Sequence, residues 1–161
     1  MGQEEVNRIK EKFSKLKLSP EYLEHEEVLT SIDVARTRGF ELKQGIKAIL
    51  LMNGNEFVIV DIPADKKVDV KEISNVTGWS RGKTKMETEE EVMNVTNCRI
   101  GAVPPFGHKT QVKIFVDERI YENEISTFNI GLRTKSVKIP TREIKILFDS
   151  LGVTEEKFVK L

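Results

Sequence analysis

The stretch KAILLMNGNEFVIVDIP, residues 47–63, constrains the fold more than any other part of the chain. Two runs rich in apolar residues stand on either side of Asn53-Gly54-Asn55, a pattern that predicts a β-hairpin. Neither run alternates with polar residues, so neither strand has a water-facing side. Both belong in the middle of a sheet covered on two faces, and the rest of the chain must supply the covers and the flanking strands.

Val6, Ile9, Phe13 and Leu16 recur at helical spacing, with Arg8, Lys10, Lys12 and Lys15 on what reads as a basic, solvated outer side. Ser19-Pro20 breaks that helix. EYLEHEEVLT reads as a short strand and loop, and TSIDVARTRG as a short capped helix from Thr30 to Gly39. A further helix ends at Gly78, and TEEEVMNV forms another with Thr88 and Glu91 as a capping box. QVKIFVDE is a strand, ISTFNIG and KSVKIP a strand pair, TREIKILFDSLG a capped helix ending at Gly152, and EKFVKL a final strand. This irregular mixture predicts an α+β fold: a single domain with a mixed or antiparallel sheet flanked by helices. The 161 residues suffice for one core, with residues 1–20 as an N-terminal helix of the same domain as residues 21–161.

Lys+Arg and Asp+Glu both number 26, so overall charge announces no nucleic-acid partner and any basic footprint must be local. The single cysteine, Cys98, excludes an internal disulfide framework and reads as a packed thiol. The charged N-terminus has no apolar signal core, which predicts a cytoplasmic protein without a membrane partner. Chemistry is sparse. There is no nucleophile elbow, no P-loop and no HExxH, and His25 and His108 stand far apart with no cysteine cluster, which argues against a metal. Asp61 and Asp117 each end an apolar run, as strand terminators or as catalytic carboxylates.

Two oddities stand out. In GAVPPFGH, residues 101–108, the prolines push Val103 and Pro104 towards extended backbone, while Gly101 and Gly107 can adopt geometries other residues avoid. The product is a stiff wall whose amides can point outward: either a rigid connecting turn or an oxyanion-type site. Lys47 begins a strand that should be buried. Its ammonium either snorkels to solvent or is aimed at a phosphate or a polarised carbonyl.

Taken together with HEEVLTSIDVA, VIVDIPADKKVDVKEI and TFNIGLRTKSVKI, these pieces resemble the YbaK / prolyl-tRNA-synthetase-associated editing family over roughly Tyr22 to Gly152. The resemblance implies a curved sheet in the α+β domain and hydrolysis of the ester joining a wrong amino acid to tRNA, often tRNA(Pro). It implies a free-standing protein that edits in trans, with no cofactor, no metal and no covalent nucleophile, the tRNA's own vicinal hydroxyl serving as a proton relay. Lys47 matches the family's lysine, which would hold the terminal adenosine or its phosphate. Gly101 and Gly107 match the ends of the glycine-proline loop, whose amides would position ester and water, with Val103, Pro104, Pro105 and Phe106 between them and His108 beside them. His25 and Thr30 match one edge of the amino-acid pocket, and Asn129, Ile130 and Gly131 its far side. Glu26-Glu27 after the histidine, and His108 after the loop, depart from the family pattern and leave alanine, serine, threonine and cysteine all open as the amino acid. A non-hydrolytic module that binds aminoacyl-tRNA or a synthetase is the alternative. A small-molecule esterase lacks its nucleophile. The neutral charge makes a synthetase or elongation factor a candidate helper for tRNA binding.

Overall fold

The computed structural model describes residues 2–26 and 41–160. The hairpin at residues 47–63 is there: β2 (Ile46–Asn53) and β3 (Glu56–Pro63) pair antiparallel from Ile46–Pro63 to Asn53–Glu56. They sit inside a five-stranded sheet of order β4-β2-β3-β5-β8, with β4 Lys85–Met86, β5 Lys113–Asp117 and β8 Thr154–Glu156. The sheet is mixed, because β5 runs parallel to both β3 and β8. A second sheet, β1-β7-β6, is antiparallel throughout, built from β1 Glu21–Glu24, β6 Ile125–Asn129 and β7 Lys135–Pro140. An isolated parallel bridge between Gly45 and Thr127 joins this sheet to the start of β2.

Among the described residues four α-helices cover the sheets: α1 Gln3–Lys15, α2 Val70–Thr77, α3 Glu89–Thr96 and α4 Thr141–Leu151. Gly78 and Gly152 end α2 and α4 in left-handed geometry, as glycine permits. The main core combines Val6, Ile9 and Phe13 of α1 with Phe106, Phe128, Val137, Ile139 and Phe148, so the N-terminal helix is built into the same core as the sheet. Phe106 meets Phe13, Phe128 and Phe148 with ring centroids 5.6, 5.8 and 6.3 Å away, all edge to face.

Some local expectations differ from the structure. Arg8 does not face solvent with its lysine neighbours; it turns inward to the buried carboxylate of Glu5 and the carbonyl of Gly107. Thr88 caps α3 by accepting from the Glu91 amide, and that half of the expected capping box is the half observed. α4 starts after Pro140 without a side-chain cap, because the Thr141 hydroxyl is bonded 2.7 Å from that of Ser126. The last strand lies at Thr154–Glu156, earlier than EKFVKL. Phe158 is drawn into the core against Phe115 and its amide is held by Asp117, which leaves Val159 a single bridge to Val68. The helix read at Thr30–Gly39 lies outside the described residues.

Candidate functional site

Strand register decides which residues share a face. Side chains two apart on a strand point the same way, and bridged partners share a face. The Gly45–Thr127 bridge therefore puts Lys47 on the same face as Thr127 and Asn129. Asn129 pairs with Ser136 on β7, which adds Ser136 to that face. The Ser136 hydroxyl is 3.2 Å from Nε2 of His25, just beyond β1. Nδ1 of His25 lies 3.0 Å from the Glu26 carbonyl, which only accepts, so Nδ1 carries a proton and donates there.

This face is polar. Ser136 and Thr127 are buried, and the Thr127 hydroxyl has no partner among the described residues. Lys47 is half-buried and makes no hydrogen bond or ion pair among them either. Desolvation lowers its pKa; Asp65 pulls it back up and Lys67 pushes it further down.

The glycine-proline loop is fastened on both sides. At its start, Arg133 donates to the Ile100 carbonyl from Nε at 2.9 Å and from a terminal nitrogen at 2.7 Å, and Asn129 donates to the Gly101 carbonyl. At its end, Arg8 donates to the Gly107 carbonyl at 3.1 Å. His108 Nε2 donates to the Pro104 carbonyl at 2.6 Å, and burial lowers its pKa to about 4, so the ring is neutral. Gly101 and Gly107 have φ of 85° and 76°, which L side chains rarely adopt. The amides of Gly101 and Val103 donate to nothing among the described residues.

The residues named from the sequence thus divide. Asn129 is bonded to Gly101, His25 to Ser136 on the same face, and register alone adds Lys47 to that face; no contact joins Lys47 to the loop among the described residues. Phe106 and Ile130 turn into the core instead, where their apolar area is buried. Gly131 is closed over by α1: a Cβ there would stand 2.5 Å from the Gly2 carbonyl oxygen and 2.8 Å from Cβ of Glu5. Gly107 also faces α1, 3.1 Å from Ile9 by the same measure. Pro104 and Pro105 are buried under the loop and His108 braces it. Thr30 lies outside the described residues. Arg8, Arg133, Ser136 and Thr127 were not legible as site residues, since nothing local marks a partner brought in from a distant strand or helix.

Other candidates resolve into structure. Asp117 caps the turn that follows β5, accepting from the amides of Arg119 and Phe158 at 2.8 and 2.7 Å. Asp61 is wholly buried, and burial raises its pKa well above the usual carboxylate range. Burial also pushes the Cys98 thiol up to about 12, so no thiolate is available. A cleft of about 720 Å³ lined by Trp79 and Leu151 holds none of the loop or Lys47. A much smaller cavity of about 60 Å³ borders Gly101 and the edge of β2 next to Lys47. Chemistry rather than size places the site here.

Comparison with known proteins agrees. A family model described as an aminoacyl-tRNA editing domain matches residues 25–147. The multifunctional Ser/Thr-tRNA deacylase ProXp-y of Escherichia coli strain K12 is 33% identical over 125 residues, 74% of this chain and 73% of that protein. The proline–tRNA ligase of Trichlorobacter lovleyi is 27% identical over 103 residues, 63% of this chain but 17% of the ligase. Among solved structures, one described as a candidate trans-editing enzyme for prolyl-tRNA synthetase superposes with a TM-score of 0.81 at 19% identity, covering 98% of each chain. At that identity the likeness speaks for the fold alone. Motif, register and family model converge: this chain belongs to the aminoacyl-tRNA editing domain family.

Proposed function

We propose that the protein is a trans-editing hydrolase that cleaves the ester between a small, wrongly attached amino acid and the 3′ end of its tRNA, on tRNA(Pro) or a related tRNA. The observation that carries this reading is the half-buried ammonium of Lys47, without a partner among the described residues and on one face with Asn129, which holds the loop at Gly101, together with Gly101 and Val103 amides that donate to nothing among those residues. The name of the Escherichia coli relative favours serine and threonine among the amino acids the sequence leaves open.

In this reading Lys47 anchors the terminal nucleotide through its phosphate and holds the ester against the loop. Water adds to the ester carbonyl carbon, and the charge that develops on the carbonyl oxygen is met by fixed loop amides. The tetrahedral intermediate collapses by breaking the carbon–oxygen bond to the ribose. One proton of the water ends on the departing ribose oxygen, relayed by the vicinal hydroxyl, and the other is released to solvent as the amino acid leaves as a carboxylate. An aminoacyl ester is already activated, so positioning and electrostatics supply the acceleration. A synthetase or elongation factor would compensate for the weak tRNA affinity of a chain with zero net charge.

The test is release of amino acid from tRNA(Pro), tRNA(Ala) and tRNA(Thr) charged with alanine, serine, threonine or cysteine. We expect cleavage of at least one ester well above the buffer rate, and a loss of roughly 100-fold in kcat/KM for Lys47→Ala, the size of one lost charge-assisted contact. Binding of aminoacyl-tRNA with no cleavage would favour the non-hydrolytic module. Full activity of Lys47→Ala would move the site elsewhere.

A further inference from the structure

Glu87 joins β4 to α3 and is only 9% exposed, yet neither of its carboxylate oxygens has a hydrogen-bond partner among the described residues. A buried carboxylate without a partner is costly, and proteins retain one chiefly where a proton or a cation completes it. Glu87 lines the cavity of about 60 Å³ beside Gly101, and every other lining residue is apolar or glycine, among them Ala48, Ile49, Val92 and Val103. The cavity therefore has room for about two waters' worth of volume at ~30 Å³ each, apolar walls and a single acidic side chain, whose covered carboxylate oxygens reach a guest by a turn of that side chain. That is a receptacle for a small group that is cationic on one side and apolar on the other.

We infer that Glu87 binds the α-ammonium of the aminoacyl ester, with the short amino-acid side chain against the cavity's apolar wall. The inference rests on the proposed deacylation and deepens it. In an aminoacyl ester the ammonium and the carbonyl are carried on adjacent carbons, so their receptors must be neighbours; Glu87 and Gly101 line the same cavity. The small volume also explains why only a short amino acid would fit. Glu87 does not take part in proton transfer here: it neutralises the ammonium and sets where the carbonyl lies against the Gly101 amide.

The test compares seryl-tRNA with N-acetyl-seryl-tRNA, which has the same ester and no ammonium, on the wild-type protein and on Glu87→Gln. The wild type is expected to prefer the free amine by about 10- to 100-fold in kcat/KM, the range of one hydrogen-bonded charge pair. In Glu87→Gln that preference should fall to the ratio at which the two esters hydrolyse in buffer, with a melting temperature no lower than wild type. A wild type indifferent to acetylation overturns the proposal without any variant, so it stays testable if Glu87→Gln fails to fold. Glu87→Gln that keeps the preference, or that slows both esters equally, also overturns it. A wild type that cleaves no aminoacyl-tRNA overturns the deacylase reading itself, a separate outcome.

Discussion

Lys47 and His108 show how position on the same scaffold gives two cationic residue types opposite tasks. Lys47 keeps a half-buried ammonium without a partner among the described residues, whereas His108 is held neutral and bonded to Pro104. The second fact has a pH signature. The folded-state pKa of His108, about 4, is below the ordinary histidine value of 6.5, so the unfolded chain takes up the proton first as pH falls. The stability that His108 contributes is present above pH 6.5 and is lost between 6.5 and 4, by up to about 3 kcal/mol. Denaturant titrations at pH 7.5 and 4.5 should show this loss in the wild type and a clearly smaller one in His108→Gln, whose amide can still donate to Pro104. Cys98 offers a simpler check: with its thiol raised to about 12 and buried, thiol alkylation of the native protein should leave the ester-cleaving rate within about twofold. Thr127 tests the polar face from the stability side. Replacing its buried hydroxyl, which has no partner among the described residues, with a methyl in Thr127→Val should raise the melting temperature rather than lower it, as expected for about 1 kcal/mol of relieved desolvation.

At the scale of elements, the glycine-proline loop is defined by what grips it. The β6–β7 connection holds Ile100 and Gly101 through Arg133 and Asn129, and α1 holds Gly107 through Arg8. The prolines limit the loop's own freedom, and these grips fix where the limited set of conformations points. Arg133→Ala should therefore lower kcat/KM by about 10-fold or more while changing the melting temperature by only a few degrees, since the lost bonds are half-exposed. Arg133→Lys should not restore the rate fully, because one ammonium does not reproduce the guanidinium fork. Steady-state kinetics beside a thermal melt decide it: equal losses of activity and stability would make Arg133 a structural residue only.

At the scale of the whole molecule, the loop is anchored by the core itself, through Phe106 among Phe13, Phe128 and Phe148. Phe106→Ala should cost about 3–5 kcal/mol, read from denaturant unfolding, and should lose activity with it. What the residues determined alone is local: the hairpin at 47–63, the helix ends at Gly78 and Gly152, and the stiffness of the loop at 101–107. In each case the deciding interactions lie within a few residues of one another, in φ restriction and in apolar periodicity. The family pattern carried Lys47 and the loop together in the same way, as ordered pieces of sequence. The tertiary structure decided the rest. Only the Gly45–Thr127 bridge sets Lys47 on one face with Asn129, and only the packing of α1 brings Arg8 to Gly107, 99 positions along the chain. Phe106 reads as a loop residue and becomes a core residue; Glu87, which no sequence pattern marks, is buried beside Gly101. Burial and register depend on how distant segments close against each other, and no local preference encodes that closure.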